Sequence, residues 1–422
     1  MPAAAPRHRP ALKEERSANV HPHVSASRKD GANETSSPPG RRGFLLASAA
    51  SFAALVGCRR GPDSARLPPR AEVARVVWEP KRTWAFFVSV LSFDDPSFGS
   101  FPTEGRVDVE VVEALKDRGV PDAQIVFLVD EKATKAAIEE ALAAHLKKAA
   151  PGDMLLLYYA GHGHREPDGE TYFIPRDVDG AAIRTTGWSL GSIFAAIGAH
   201  FRGATALLTA DCCYSGRLAV EAARASKKSG DVAFATLASA VEREVSTEEW
   251  TFSECLRDAL RGRPRLDHDR DSVITLEELG RWVEGEMPFR DGQLASFSLG
   301  EGFPRGLALT QRVADQKPRI GERVEVRDGD EWKRATIEDV VAGKLRVRTL
   351  GEGLDDEWVD EGRVRPWRPV QLAIGAEIEV LDEGQWYQAT VLDAQLGVHF
   401  VHYQGWPDSD DEWVGESRLR VR

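Results

Sequence analysis

Short runs in which nearly every position is apolar alternate along the first three quarters of the chain with longer stretches of helical spacing. Trp84 to Leu91, Ile125 to Val129, Met154 to Ala160, Ala204 to Ala210 and Val232 to Leu237 are runs of the first kind. They are too short for ordinary helices and apolar at consecutive positions, which predicts strands of a parallel sheet buried on both faces. Val107 to Arg118, Thr134 to Ala149, Leu190 to Ala199, Phe252 to Leu260 and Thr275 to Val283 read as helices. This alternation predicts an α/β domain over residues 82–312, with helices packed on the sheet.

Beyond residue 318 the period falls to two, broken by turn signals, and the pattern repeats. Ile320-Gly321-Glu322-Arg323-Val324-Glu325-Val326 returns as Ile374-Gly375-Ala376-Glu377-Ile378-Glu379-Val380, Trp332 as Trp386, and Asp356-Glu357-Trp358-Val359 as Asp411-Glu412-Trp413-Val414. A repeat of this length with alternating apolar residues predicts two small β-barrels in tandem, residues 318–368 and 372–422. At the other end, residues 1–40 are rich in Pro, Ala, Ser and Arg without periodicity, which reads as disorder. Arg41 and Arg42 then precede an apolar stretch from Phe44 to Val56, the length of a signal-peptide core and too short to cross a bilayer as a helix. Residues 58–81, dominated by Pro, Arg and Ala, read as a tether.

Composition narrows the functional classes. At 422 residues and 42% hydrophobic content the chain has room for two or three domains and an ordinary core. A formal net charge of −12 argues against general nucleic-acid binding. Four cysteines, two of them adjacent, do not make a disulfide framework in a chain this long.

Chemistry concentrates at the ends of two predicted strands. Met154 to Ala160 runs into Gly161-His162-Gly163-His164, and Ala204 to Ala210 runs into Asp211-Cys212-Cys213-Tyr214-Ser215-Gly216. Reactive groups in open α/β sheets collect at the carboxyl ends of strands, so His162 and Cys213 can face each other as base and nucleophile. Gly163 and the Cys213 backbone then offer N–H groups to an oxyanion. His162, His164, Cys212 and Cys213 also contain the ligand types of zinc, but lack the Cys-x-x-Cys or His-x-x-x-His spacing of its sites.

Tyr-Ala-Gly-His-Gly and Asp-x-Cys-x-Ser-Gly resemble the two catalytic motifs of metacaspases and bacterial caspase-like cysteine peptidases, over roughly Trp84 to Leu309. The resemblance implies a caspase-like sheet flanked by helices, a Cys213/His162 dyad needing no cofactor for chemistry, and Asp211 lining a pocket for Arg or Lys before the scissile bond. It also implies a second pocket acid at Asp94 or Asp95, and a loop-ordering role for Asp177 and Asp179. The substrate is then a peptide or protein with basic residues.

Three further resemblances extend this picture. The paired arginines with Phe44-Leu45 look like a bacterial twin-arginine export signal, and Leu55-Val56-Gly57-Cys58 like a lipoprotein box, implying lipid on Cys58 and a place in the cell envelope; a cytoplasmic protein with a short amphiphilic helix is the alternative. Asp267 to Glu278 has the acid spacing of an EF-hand loop, with Asp267, Asp269, Asp271, the Val273 carbonyl, Thr275 and Glu278 as calcium ligands and Ser272 where glycine is usual. The same residues also suit an acid-capped helix start. The second repeat resembles Tudor-like and chromo-barrel domains, implying an aromatic cage of Trp386, Tyr403, Trp406 and Trp413 for a cationic peptide. From Pro318 onward 14 basic residues face 23 acidic ones, a balance that suits such a ligand and not nucleic acid. Two functions of different class follow: a cysteine endopeptidase, or an envelope-anchored binding protein whose inert caspase-like domain presents two peptide-binding barrels.

Overall fold

A computed structural model describes residues 75–229, 231–241, 249–314, 319–350, 356–382 and 384–421; the export leader and Cys58 lie outside them. Six strands make the central sheet. In chain order, β1 (Thr83–Ser89), α1 (Val107–Asp117), β2 (Ile125–Val129), α2 (Lys135–Leu146) and β3 (Met154–Ala160) lead to α3 (Leu190–His200), β4 (Thr205–Asp211) and α4 (Arg217–Ser229). Then come β5 (Ala233–Ala238), α5 (Thr251–Leu260), α6 (Leu276–Asp291) and β6 (Ser296–Leu299). The strand order is β6-β5-β4-β3-β1-β2, parallel except for β6 at one edge.

Period-two alternation explains the two cores. Phe86, Val88, Leu155, Leu157 and Tyr159 point to one face, with Ile138, Leu142, Ile193 and Ile197 of α2 and α3. Ala85, Phe87, Met154, Tyr158 and Ala160 point to the other, with Val111, Leu115, Phe252, Leu256, Leu279 and Val283 of α1, α5 and α6. Because both faces are covered, β1, β3 and β4 are apolar along most of their length on both faces, which is why they read as near-continuous runs. Three short strands, Arg75–Val77, Val273–Thr275 and Gly306–Gln311, form a side sheet, and Gly163–Arg165, Thr171–Phe173 and Trp188–Ser189 form another beside the His162 loop. Among the described residues no helix is long and apolar enough to cross a membrane.

Each C-terminal repeat is a five-stranded antiparallel sheet around its own small core. The first has β7 (Arg323–Asp328), β8 (Glu331–Val341), β9 (Lys344–Thr349), β10 (Asp356–Asp360) and β11 (Val364–Pro366), in the order β10-β9-β8-β7-β11. The second has β12 (Glu377–Asp382), β13 (Gln385–Gln395), β14 (Val398–Tyr403), β15 (Glu412–Gly415) and β16 (Leu419–Val421), ordered alike. Register shifts at Ile337/Asp339 and Val391/Asp393 bend the long strands, so each five-stranded sheet curves into a half-barrel. These are called modules below.

The first module seats on α6. Arg323 stacks over Trp282 at 4.7 Å and donates to Glu286 at 3.0 Å, while Arg265 donates to Glu338 at 2.5 Å. Trp367 meets Phe289 edge-on with ring centres 4.9 Å apart.

Candidate active site

Register places the two motifs side by side. β3 and β4 pair in parallel with Ala160 opposite Asp211, so His162 and Cys213 each lie two residues past the last paired position of adjacent strands. Gly161, at φ +146°, carries the pairing one step further, its N–H reaching the Asp211 carbonyl at 3.4 Å. A β-carbon on Gly163 would lie 2.1 Å from the carbonyl oxygen of Cys213, so the histidine segment touches the cysteine segment through backbone, and only glycine permits it. Tyr214, directly after the nucleophile, has φ +57°, which turns the chain sharply into α4. That turn is fixed to the end of β5: Cys212 N–H donates to Ser239 Oγ at 3.1 Å and Ala240 N–H to Ser215 Oγ at 3.2 Å.

His162 has its tautomer set by geometry. Its Nε2 lies 2.7 Å from the Gly99 carbonyl oxygen, which can only accept, so Nε2 carries the proton and Nδ1 is the acceptor. Phe93, Phe98 and Phe101 surround the ring at centre distances of 4.9, 5.8 and 4.4 Å. Gly99 is invisible to sequence reasoning because it acts through its carbonyl.

The loop carrying Gly99 and these rings is moored by the acids that follow β1. Asp94 accepts from Arg176 Nε at 2.7 Å. Asp95 accepts from Gly180 N–H at 2.7 Å and Ser97 N–H at 2.9 Å, and these bonds, Gly180's foremost, hold its carboxyl below the usual range. Both carboxylates thus order the loop beside His162. Asp177 accepts from the N–H of Lys135 at 2.7 Å, and Asp179 caps Gly180 to Ala182 by accepting from Ala181.

The adjacent cysteines differ. Cys212 is buried, and burial pushes its thiol well above the ordinary value, whereas Cys213 is partly exposed. Neither belongs to a converging group of metal-ligand atoms among the described residues.

Asp211 lies beside a buried group of charged side chains on the α1 and α5 side. It accepts from Ser253 Oγ at 2.7 Å, and Ser253 is in turn 2.7 Å from the Tyr158 hydroxyl. Burial raises the Asp211 carboxyl to about 6 against those hydrogen bonds, with neighbouring Asp108 adding to the rise. Arg106, the nearby cation, is clamped by Asp108 at 2.7 Å and Asp130 at 2.6 Å and also donates to Ser89. Asp108 and Asp130 thus share the Arg106 guanidinium, and among the described residues the side chains that donate to Asp211 are hydroxyls. The sequence reading missed Arg106, Asp108 and Asp130, which are charges at the ends of apolar segments without motif spacing.

At the EF-hand-like loop, Asp267, Asp269 and Asp271 bring carboxylate oxygens within 4.8 Å of one another. Ser272 takes φ +78°, making the turn that glycine normally supplies. Glu278 is committed elsewhere: with Thr275 it forms a capping box at the start of α6, and it accepts from His268 N–H at 3.0 Å. Arg312 pairs with Asp267 at 3.2 Å and Arg75 with Asp271. Three of the five expected side-chain ligands therefore converge, two of them paired with arginines, and the other two serve the helix.

The four rings proposed for a cage do not converge. Trp386 is exposed on the surface of the second module beneath Arg420 at 4.1 Å, and Trp413 packs on Phe400 with centres 5.4 Å apart. Tyr403 and Trp406 instead each face Tyr387 at near right angles, at 6.3 and 6.0 Å, and Tyr403 donates to Glu412 at 2.6 Å. In the first module Lys333 and Thr349 stand where the second has Tyr387 and Tyr403.

Among solved structures the chain is similar to a protein of Geobacter sulfurreducens (16% identity, 55% of this chain and 99% of that one, TM-score 0.37) and to caspase-1 of Spodoptera frugiperda (15%, 60% and 100%, 0.36). It is also similar to a segment of the Arabidopsis thaliana protein AGDP1 (23%, 24% and 80%, 0.12). No curated protein sequence matches the chain. A family model described as the caspase domain matches residues 106–288, the stretch that holds His162 and Cys213, so this central part of the chain is similar to a caspase domain.

Proposed function

We propose that the caspase-like domain is a cysteine endopeptidase that cleaves after Arg or Lys. The observation that carries this reading is the pairing of Ala160 with Asp211, which delivers His162 and Cys213 from neighbouring strand ends. His162 Nδ1 takes the proton of Cys213 Sγ, and the thiolate attacks the carbonyl carbon of the scissile bond. The N–H groups of Gly163 and Cys213 hold the oxyanion, and the imidazolium returns its proton to the leaving amine. A water molecule, activated by the same imidazole, then releases the acid product from the thioester. Asp211, at the end of the strand that leads to Cys213 and with no arginine or lysine among its hydrogen-bond partners in the described residues, supports a basic side chain before the cut.

The test is cleavage of fluorogenic Arg, Lys and Asp peptides by the protein from Arg59 onward. Arg and Lys peptides should be cut, the Asp peptide spared, and Cys213→Ala should abolish turnover. Cleavage that survives Cys213→Ala removes the proposal.

Calcium belongs to the same reading through Asp267, Asp269 and Asp271. If the ion binds there, chelation lowers the melting temperature of the wild type but not of Asp269→Asn; equal melting with and without chelator ends this part. Export and lipid on Cys58 are tested by mass spectrometry of the mature amino terminus.

A binding role for the second module is favoured by one observation, the orthogonal walls of Tyr387, Tyr403 and Trp406 beside Glu412. Such walls suit a methylated ammonium on a Tudor-like surface. Titration with trimethyllysine peptide should quench tryptophan fluorescence in the wild type and not in Tyr387→Ala. If the peptidase assay also fails, this binding role becomes the principal function.

A further inference from the structure

The carboxyl end of α6 is where three parts of the molecule meet. The Phe289 carbonyl accepts from Arg334 of the first module at 2.7 Å. The helix then stops at Gly292, φ +65°, whose backbone is pressed against Gly415 of the second module. A β-carbon on Gly415 would lie 2.7 Å from both the α-carbon and the carbonyl oxygen of Gly292. Gly415 ends β15, the strand that begins at Glu412, partner of Tyr403. The next residue, Glu416, pairs with Arg334 at 3.3 Å and accepts from Val370 N–H at 2.6 Å, so the contact is held from two sides.

On the catalytic side of Gly292, Gln293 is 2% exposed and its Nε2 donates to the Ser239 carbonyl at 2.5 Å. Ser239 is tied to the end of β4 by its own N–H, which reaches Ala210 at 2.9 Å, and its Oγ accepts the N–H of Cys212 at 3.1 Å. Direct contacts therefore run from Gly415 through Gly292, Gln293 and Ser239 to the residue before the nucleophile.

We propose that Gln293 is a positioning residue for Cys213, and that the second module, seated on Gly292 through Gly415, sets where Gln293 sits. This rests on the reading of Cys213 as nucleophile. Gln293 touches no reacting atom; it fixes Ser239, which fixes the turn that aims the thiol. The coupling is a free energy shared between Gly415 and Gln293.

The experiment uses the full chain and two readouts: kcat and KM on an Arg peptide, and the rate of Cys213 alkylation by iodoacetamide as a function of pH, with the site mapped by mass spectrometry. Gln293→Leu removes the donated bond at similar volume. It should lower kcat on the order of tenfold to a hundredfold with little change in KM, and slow alkylation, because small misplacements of reacting groups have effects of that size. Gly415→Ala should act in the same direction, and the double variant should lose little more than either single one. If Gly415→Ala does not fold, Glu416→Ala loosens the same seat without adding an atom and replaces it. Unchanged kcat and alkylation in Gln293→Leu overturn the positioning role, and losses that multiply in the double variant overturn the link to the module. Should the wild type cut no peptide, the peptidase reading fails while alkylation still decides the role of Gln293.

Discussion

Gly163 has no room for a methyl group, since one would fall 2.1 Å from the Cys213 carbonyl. Gly163→Ala should therefore part the two catalytic segments and abolish peptide cleavage, while far-ultraviolet circular dichroism stays unchanged; a Gly163→Ala protein with wild-type kcat would show that the close approach is dispensable. Protonation acts at the same scale. Asp211, raised to about 6, should make kcat/KM on Arg and Lys peptides climb as pH passes through about 6, since only the carboxylate attracts the cation. Asp211→Asn should flatten that limb. Burial likewise raises Asp291 to about 7. A folded carboxyl that holds its proton more tightly than the unfolded chain supports the fold most fully at low pH, and that support declines as pH rises from about 4 through the folded value. Urea midpoints between about pH 4 and pH 8 should therefore fall less in Asp291→Asn than in the wild type. Side chains with a motif, His162 and Cys213, were legible in the sequence. Gly99 was not, because a carbonyl has no letter of its own, and Tyr387 was not, for a reason that belongs to the elements.

Strands buried on both faces announced themselves: Met154 to Ala160 was read with the limits it has in the structure. Edge strand β6 escaped because Ser296-Phe297-Ser298-Leu299 alternates over only four residues, too few to separate from a loop. In the modules, matching the two copies drew attention to Trp332 and Trp386. Each lies beneath an arginine of its last strand, Arg365 and Arg420, at 4.1 Å in both copies. What the repeats share is their scaffold. Tyr387 stands where the first copy has Lys333, so matching the copies gave no signal for it, whereas Tyr403 and Trp406 were legible from the second copy's own resemblance. Helix α6 starts with a capping box, and Thr275→Ala should cost about 1 kcal/mol, read as a lower urea midpoint. No change in that midpoint would mean that Glu278 alone caps the helix.

At the scale of the whole molecule, the C-terminal modules and the caspase-like domain share a polar seam. Glu286 is buried against Arg323, and Trp282 lies under the same guanidinium. A chain ending at Arg312 should expose both, melt at lower temperature and bind a hydrophobic dye, whereas unchanged melting would mark the modules as appendages. The sequence could not announce this seam, because its members are ordinary surface arginines and glutamates until the two parts are brought together. The meeting of Gly292 with Gly415 also bears on descent. Gly415 tolerates no side chain while the Gly292 backbone stays where it is, whereas Gly292 is held by its left-handed φ and by a tight 3.0 Å approach of its would-be β-carbon to Gly415. The pair is thus a record of whether the two parts have been inherited as one unit: in relatives with the same arrangement both positions should remain glycine, and in relatives lacking the modules the position of Gly292 should need glycine only for its helix end, leaving asparagine free to appear there.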